Sequence, residues 1–195
     1  MLDLVMLDRD GVINIDRPTS VRSWEEFTFL PSVENAIYSL NQAHIPVAII
    51  TNQAVVGRHE LSLEDLHHIH LQMQKKLREK GAHIDHIFFC TDTTIEPHYR
   101  RKPAPGMLLE ALEHFNARPA YSYMIGDALR DLEAAYHAGC QRILVRTGKG
   151  AKTEEEGIPN FLDPVSIYDN LAIAVKTLLE KLDAPSTRAY ITEHQ

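Results

Sequence analysis

Two aspartates one residue apart are the most informative feature of this 195-residue chain. The apolar run Leu4–Leu7 ends in Asp8 and Asp10, and Gly11 follows at once. Such a run is typical of a buried strand, which would present both carboxylates at its carboxyl end. Two carboxylates held this close repel each other. An acidic turn after an edge strand explains this segment equally well when it is considered alone.

Three later apolar runs also end in polar residues that could take part in chemistry. These residues are Thr51, Asn52, Gln53, Arg101, Lys102, Asp127 and Asp131. Each group alone would be an ordinary turn, a solvated loop or an acidic helix start. In an open parallel sheet, however, the carboxyl ends of the strands line one crevice. The coincidence therefore favours one pocket that holds carboxylates, a hydroxyl group and a lysine.

The elements that must position these residues alternate between strand and helix patterns. Strands are predicted at Leu4–Leu7, Pro46–Ile50, His86–Cys90, Tyr121–Ile125 and Arg142–Val145. Helices are predicted at Ser32–Ala43, Ser62–Lys80, Pro105–Phe115, Leu129–Ala138 and Val165–Leu182. Strand followed by helix, repeated five times, predicts an α/β fold: a doubly wound, Rossmann-like parallel sheet with helices on both faces.

Length and composition set the outer bounds. The chain length suits a single domain over residues 1–182, and residues 183–195 are predicted to be a flexible tail. A formal charge of -7 disfavours a nucleic-acid or membrane partner, since both need a basic surface. The chain shows no leader pattern and no bilayer-spanning apolar stretch, and its two cysteines suit a reducing compartment. We therefore expect a cytoplasmic protein.

The four clusters together resemble the signature motifs of the haloacid dehalogenase (HAD) superfamily of phosphohydrolases. LDRDGV, ITNQ, RKP and GDALRD occur in the order typical of that family. The resemblance covers residues 4–150 and includes FLPSVENAI, RKPAPGMLLEAL, SYMIGD and ILVRTGKG. It is strongest to the branch without a large cap domain, which contains histidinol phosphatases and D-glycero-D-manno-heptose 1,7-bisphosphate phosphatases.

The resemblance implies a Mg²⁺-dependent phosphoric monoester hydrolase that works through an aspartyl-phosphate. Asp8 would attack phosphorus, while Asp10 would protonate the leaving oxygen and later deprotonate water. Hard oxygen ligands select Mg²⁺, and the implied ligands are Asp8, Asp127 and the backbone carbonyl of Asp10. We expect Asp8 to be ionised and Asp10 to keep its proton. Asp131 would support the metal indirectly or through a water molecule.

The same resemblance implies the substrate-binding residues. They are Thr51, Asn52, Gln53, Arg58, Arg101 and Lys102. The Thr51 hydroxyl, the Asn52 backbone N–H and the Lys102 ammonium would contact the transferring phosphoryl group. Arg58 and Arg101 would hold the second phosphate of a sugar bisphosphate through bidentate contacts.

A structural zinc site is predicted to be absent. Members of this branch commonly carry a zinc loop before the RKP motif, where this chain has Cys90, Asp92, His98 and Arg100. A cationic arginine cannot ligate zinc, and three mixed ligands would make a poor closed site. A degenerate metal site at Cys90, Asp92 and His98 is the alternative.

Two further patterns receive structural interpretations. His67, His68 and His70 lie on one polar helix without the i, i+4 pairing of a metal motif, so we expect surface residues. The glycines of residues 146–150 lack the spacing of a phosphate-binding loop and are expected in a loop after the fifth strand.

The preferred reaction that the resemblance implies is hydrolysis of D-glycero-D-manno-heptose 1,7-bisphosphate to the 1-phosphate. The expected partner is therefore a small phosphorylated sugar. Histidinol phosphate or another small phosphomonoester is the runner-up substrate.

A phosphate-accepting receiver domain belongs to another class but also arranges acids, a hydroxyl group and a lysine around Mg²⁺. A receiver takes its phosphate after the third strand, whereas the Asp8-x-Asp10 spacing suits a nucleophile with an acid partner. Steady phosphate release distinguishes an enzyme from a receiver.

Overall fold

The computed structural model describes residues 2–95 and 97–183 and contains a parallel sheet at its centre. The strands are β1 (Leu4–Leu7), β2 (Val47–Asn52), β3 (His86–Cys90), β4 (Ser122–Gly126), β5 (Gln141–Val145) and β6 (Val165–Tyr168). Their order across the sheet is β3-β2-β1-β4-β5-β6, and every neighbouring pair is parallel.

Helices connect the strands. They are α1 (Val33–Gln42), α2 (Ala54–Gly57), α3 (Leu63–Glu79), α4 (Gly106–His114), α5 (Leu129–His137), α6 (Gly150–Glu156) and α7 (Leu171–Asp183). Short 3-10 turns occur at Trp24–Glu26, Pro119–Tyr121 and Asn160–Leu162. Ser62 caps α3, because its hydroxyl accepts the Asp65 backbone N–H at 3.0 Å.

The two faces of β1 pack against different helices. Val5 and Leu7 belong to one apolar core with residues of α1, α3 and α7. Leu4 and Met6 belong to a second core with residues of α4 and α5. Side chains alternate between the faces of a strand, so a strand that is apolar throughout packs against both layers. The result is the three-layer arrangement that the sequence predicted.

The order of the strands determines where a crevice opens. The chain crosses from one half of the sheet to the other in the connection from β3 to β4, and β4 then pairs with β1. Open α/β sheets bind ligands at this switch point, beyond the carboxyl ends of the strands. Asp8 follows β1, Asp127 follows β4, and Thr51 and Asn52 end β2. All three positions therefore face the same crevice.

One predicted helix was wrong over its first part. The segment predicted as a helix at Val165–Leu182 contains strand β6 and then helix α7. Asn170 separates the two elements, because its side-chain oxygen accepts the Ile173 backbone N–H at 3.0 Å and caps the helix. The residues expected to form a loop at 146–150 continue into α6, and α2 was not predicted. The other strands and helices start and end within two residues of their predicted bounds.

The last described element lies near the predicted domain limit, and the single-domain organisation remains a prediction. α7 ends at Asp183, one residue beyond the predicted domain limit, and the rest of the predicted tail lies outside the described residues. Within residues 2–95 and 97–183, no connection between strands is large enough to form a separate cap domain. None of the described helices is long and apolar enough to cross a lipid bilayer.

Candidate active site

A buried ion-pair network joins Lys102 to two of the predicted carboxylates, Asp8 and Asp131. The Lys102 ammonium lies 3.1 Å from Asp8 Oδ1 and 2.7 Å from Asp131 Oδ1. It also donates a hydrogen bond to the backbone carbonyl of Ile50 at 2.7 Å. All three charged side chains are almost fully buried, so their attraction is little screened by water. Lys102 therefore lies beside the predicted nucleophile, as expected.

Asp127 completes a cluster of three carboxylates with Asp8 and Asp131. One carboxylate oxygen from each residue lies within 4.8 Å of the others. Asp127 Oδ2 accepts the backbone N–H of Lys149 at 2.8 Å, whereas the buried Oδ1 has no hydrogen-bond partner among the described residues. Burial and the charges of Asp8 and Asp131 raise the pKa of Asp127 to about 7. Burial raises the pKa of Asp8 as well, against the effect of Lys102.

These features fit a bound hard cation. A buried carboxylate oxygen without a partner is costly, and converging carboxylates repel. A divalent cation among the three groups would satisfy that oxygen and offset the repulsion. Oxygen ligands without sulfur or imidazole are the set that Mg²⁺ prefers. The cluster contains the side chains predicted for the metal, with Asp131 close enough to take part.

Two glycines leave space for the Asp127 carboxylate. Gly11 has φ +87° and Gly148 has φ +57°, a region that favours glycine. A Cβ atom at either position would overlap Asp127 Oδ2. The loop at residues 146–150, for which the sequence suggested no functional part, thus contributes to the site through Gly148 and the Lys149 N–H.

Asp10 has different surroundings from Asp8. Arg9 Nη2 donates to both of its carboxylate oxygens at 2.9 Å, and the side-chain amides of Asn14 and Gln53 each donate at 2.9 Å. Burial raises the pKa of Asp10, but Arg9 and these hydrogen bonds outweigh it and hold the pKa below its ordinary value. This shell favours an ionised Asp10, in contrast to the expectation of a protonated one. The physical reason is Arg9, whose partner could not be inferred from its position between the aspartates.

The prediction that His70 is a surface residue was wrong. His70 on α3 is buried, and its Nε2 lies 3.2 Å from Arg9 Nη1. A guanidinium group can only donate, so Nε2 is the acceptor and the ring proton is on Nδ1. Burial and the neighbouring Arg9 lower the pKa of His70 to about 3. His67 and His68 are exposed, as predicted.

Residues at the end of β2 form hydrogen bonds with both Lys102 and Asp10. The Asn52 side chain donates to the Lys102 carbonyl at 2.9 Å and accepts the Lys102 backbone N–H at 3.1 Å. Thr51 is buried, and its hydroxyl oxygen accepts a hydrogen bond from the Gln53 amide at 2.9 Å. Gln53 thus contacts both Thr51 and Asp10. The structure brings these predicted residues together around Asp8, Asp10 and Lys102.

Positive side chains surround the mouth of the crevice. The cavity here has a volume of about 170 Å³, and its cationic lining residues are Arg58, Arg101, Arg130 and Lys149. Arg58 Nε is paired with Glu60 at 2.7 Å, and Arg101 Nη1 donates to the Asp92 carbonyl at 2.7 Å. The Lys149 ammonium lies 2.9 Å from Asp16. Arg130 was not among the predicted site residues, although it lies inside the GDALRD motif.

The relatives of this chain agree with the geometry. The chain is 35% identical to the D-glycero-beta-D-manno-heptose-1,7-bisphosphate 7-phosphatase of Neisseria meningitidis serogroup B, over 94% of its length and 98% of the relative. It is 36% identical to the Pseudomonas putida enzyme of the same name, over 91% of its length and 100% of the relative. A family model described as HAD-hydrolase-like matches residues 99–174. The chain belongs to the HAD superfamily.

A solved HAD structure resembles this one over nearly the whole chain. The crystal structure of D,D-heptose 1.7-bisphosphate phosphatase from B. bronchiseptica, complexed with magnesium and phosphate, superposes with a TM-score of 0.88. The two chains are 36% identical, and the match covers 92% of this chain and 99% of the other. The predicted fold and the predicted class, a phosphoric monoester hydrolase, are confirmed. Membership of this family also decides against a receiver domain.

Hydrogen bonds and one ion pair hold the loop before the RKP motif of this HAD phosphatase. Asp92 Oδ2 accepts the His98 backbone N–H at 3.1 Å and lies 3.1 Å from His98 Nδ1. Arg100 forms two hydrogen bonds with Glu110, at 2.8 and 2.9 Å. Cys90 is buried, and burial raises the pKa of its thiol. The absence of zinc from this loop remains a prediction.

Proposed function

We propose that this chain is a Mg²⁺-dependent phosphatase that removes the 7-phosphate of D-glycero-D-manno-heptose 1,7-bisphosphate. The observation that carries the proposal is the cluster of Asp8, Asp127 and Asp131 at the switch point of the sheet, beside a separately held Asp10. The names of the curated relatives and the magnesium and phosphate in the similar solved structure support it.

The arrangement of the side chains suggests the division of labour. Asp8 is the proposed nucleophile, and it forms an aspartyl-phosphate as the bond from phosphorus to the sugar oxygen breaks. Bound Mg²⁺ would neutralise phosphoryl charge and allow the carboxylate to approach the dianion. Lys102, next to Asp8, stabilises the charge of the transferring group. The Thr51 hydroxyl and the Asn52 backbone N–H are the other proposed contacts to it.

Asp10 is the proposed proton donor to the leaving oxygen and the later acceptor from water. The shell of Arg9, Asn14 and Gln53 fixes its carboxylate within the crevice. This shell favours the ionised form, so the protonated form must be stabilised when a dianionic phosphate binds nearby. In the later hydrolysis of the aspartyl-phosphate, the ionised form of Asp10 removes a proton from water.

Phosphate release from a small substrate panel tests the function. The panel is heptose 1,7-bisphosphate, fructose 1,6-bisphosphate and histidinol phosphate, each with Mg²⁺ and with excess chelator. We expect the highest kcat/KM for the heptose bisphosphate and no release with chelator. A preference for histidinol phosphate would transfer the proposal to the monoester branch.

The remaining expectations are coarser. We propose a single domain over residues 1–182 and a cytoplasmic location, which the two buried free cysteines support. The charge of -7 supports a small-molecule substrate over a nucleic acid or a membrane surface.

A further inference from the structure

Arg130 is a cation of the crevice that forms no hydrogen bond or ion pair with any residue that the structure describes. It lies in the first turn of α5, three residues after Asp127, and lines the crevice mouth. Within residues 2–95 and 97–183 its guanidinium makes no hydrogen bond or ion pair, and its buried Nε has no acceptor. Arg58, Arg101 and Lys149 each have a partner, as described above.

Neutralisation of the carboxylate cluster does not account for this geometry. Lys102 already contacts Asp8 and Asp131. Burial lowers the pKa of Arg130, but the charges of Asp131, Asp8 and Asp127 outweigh it, so the group stays charged. A guanidinium held only for charge balance would form bidentate contacts with a carboxylate. Arg130 instead has no hydrogen-bond acceptor among the described residues, although a buried donor without a partner is destabilising.

The neighbouring arginines show which ligand would satisfy these donors. Arg58, Arg101 and Arg130 line the same cavity. Burial lowers the pKa of Arg101, and the charges of Arg130 and Arg58 lower it further. Asp10 and Asp16 also line this cavity, but its four cations, which include Lys149, outnumber them and favour a small dianion. The transferring phosphoryl group would lie against Asp8, where Lys102 provides the contact, so a second phosphate is the dianion that this wall would hold.

We propose that Arg130 is a substrate-binding residue that holds the distal, non-reacting phosphate of a sugar bisphosphate. This inference rests on the proposed function and names a residue that decides between a bisphosphate and a monophosphate. A free guanidinium presents two parallel N–H groups to phosphate oxygens, a geometry that lysine cannot copy. The contact is the same in ground and transition states, so it acts mainly on KM.

The test measures kcat and KM of the Mg²⁺-loaded enzyme for heptose 1,7-bisphosphate and heptose 7-phosphate. The variants are Arg130→Gln, Arg130→Lys and the control Arg78→Gln. Arg78 is exposed near the end of α3. Because the helices run antiparallel to the strands, Arg78 lies near the amino-terminal ends of the strands, away from the crevice at their carboxyl ends. Melting temperatures check that each variant folds.

We expect Arg130→Gln to raise KM for the bisphosphate about ten- to a hundredfold with little change in kcat, and KM for the monophosphate less than about threefold. Arg130→Lys should recover part of the loss, and Arg78→Gln should match the wild type. Unchanged KM for the bisphosphate, or equal losses on both substrates, would overturn the role of Arg130 while leaving the proposed function intact. A wild-type enzyme without preference for the bisphosphate would overturn both.

Discussion

At the scale of single residues, Asp8 and Asp10 are two positions apart but belong to different networks. Asp8 contacts Lys102 and faces two other buried carboxylates, while Asp10 accepts hydrogen bonds from Arg9, Asn14 and Gln53. Adjacent side chains on an extended segment point in opposite directions, whereas positions two apart can share one crevice. The pair can therefore reach one phosphoryl group from two electrostatic environments.

Replacement of each aspartate should separate metal binding from proton transfer. Asp8→Asn removes the proposed nucleophile and one of the clustered carboxylates, so both turnover and Mg²⁺ affinity should fall. Asp10→Asn should keep Mg²⁺ affinity but lose about 10²–10⁴-fold in kcat. Calorimetric titration with Mg²⁺ and phosphate-release assays measure the two effects. Near-native turnover of Asp10→Asn on a sugar phosphate would show that the acid role is misassigned.

Gly11 should control the metal site through Asp127. Gly11→Ala would introduce a Cβ atom that overlaps Asp127 Oδ2 at a positive φ. We expect the displaced carboxylate to weaken Mg²⁺ binding about 10–100-fold. Gly157→Ala is the matched control, because Gly157 has φ +93° and its Cβ would meet nothing within 4 Å. Equal Mg²⁺ affinity in the two variants would contradict the steric argument.

Sequence patterns identified the carboxylates of the site but not all of their neighbours. Asp8, Asp10, Asp127 and Lys102 follow predicted strands or stand in recognisable motifs. Arg9 and His70 are 61 positions apart, so their contact depends on how α3 packs on the sheet. Local patterns contain no such distance information.

At the scale of elements, His70 connects α3 to the residue between the two aspartates. The neutral ring accepts a hydrogen bond from Arg9 Nη1, and Arg9 in turn holds Asp10. His70→Gln can keep an acceptor for Arg9, whereas His70→Leu leaves the guanidinium short of one. We expect His70→Leu to be less stable by about 1–3 kcal/mol. Urea unfolding compares the variants, and a more stable His70→Leu would contradict the contact.

The same histidine should make stability depend on pH. Its pKa is about 3 in the folded chain and 6.5 ordinarily, so between these values the unfolded state binds the extra proton. Stability should therefore fall as the pH drops below 6.5, by about 1.4 kcal/mol at about pH 5.5, and be unaffected above pH 7. The His70→Gln variant lacks this contribution. The loss in the free energy of unfolding between pH 7 and about pH 5.5 should therefore be larger for the wild type than for His70→Gln, by about 1.4 kcal/mol. Parallel pH profiles would rule out a buried neutral ring.

The alternation of strands and helices was predictable, and one mistake lies where only two residues separate a strand from a helix. Only Asp169 and Asn170 lie between β6 and the apolar first turns of α7, and the whole segment was predicted as a single helix. The separation depends on the cap at Asn170 and on pairing of β6 with β5. Pairing with a distant strand is a tertiary interaction that a local pattern does not contain.

At the scale of the whole molecule, the carboxylate cluster should couple metal binding to stability. The pKa of Asp127 is raised from 3.8 to about 7, so the metal-free fold loses stability as the pH rises through this range. Mg²⁺ at about 100 times its dissociation constant should stabilise by about 2.7 kcal/mol if only the folded state binds it. At one fixed Mg²⁺ concentration, the rise in melting temperature should be larger near pH 8 than near pH 6. A melting temperature that is the same with Mg²⁺ and with excess chelator, at both pH values, would contradict this coupling.

The proposed mechanism requires that the Asp8 carboxylate is phosphorylated and then dephosphorylated in every catalytic cycle. The direct measurement is an acid quench during steady turnover of heptose 1,7-bisphosphate, followed by mass spectrometry of the peptide that contains Asp8. We predict one phosphoryl group on Asp8 while substrate lasts, its loss when substrate is exhausted, and none in Asp8→Asn. A phosphoryl group on another residue, or turnover by Asp8→Asn, would contradict the mechanism.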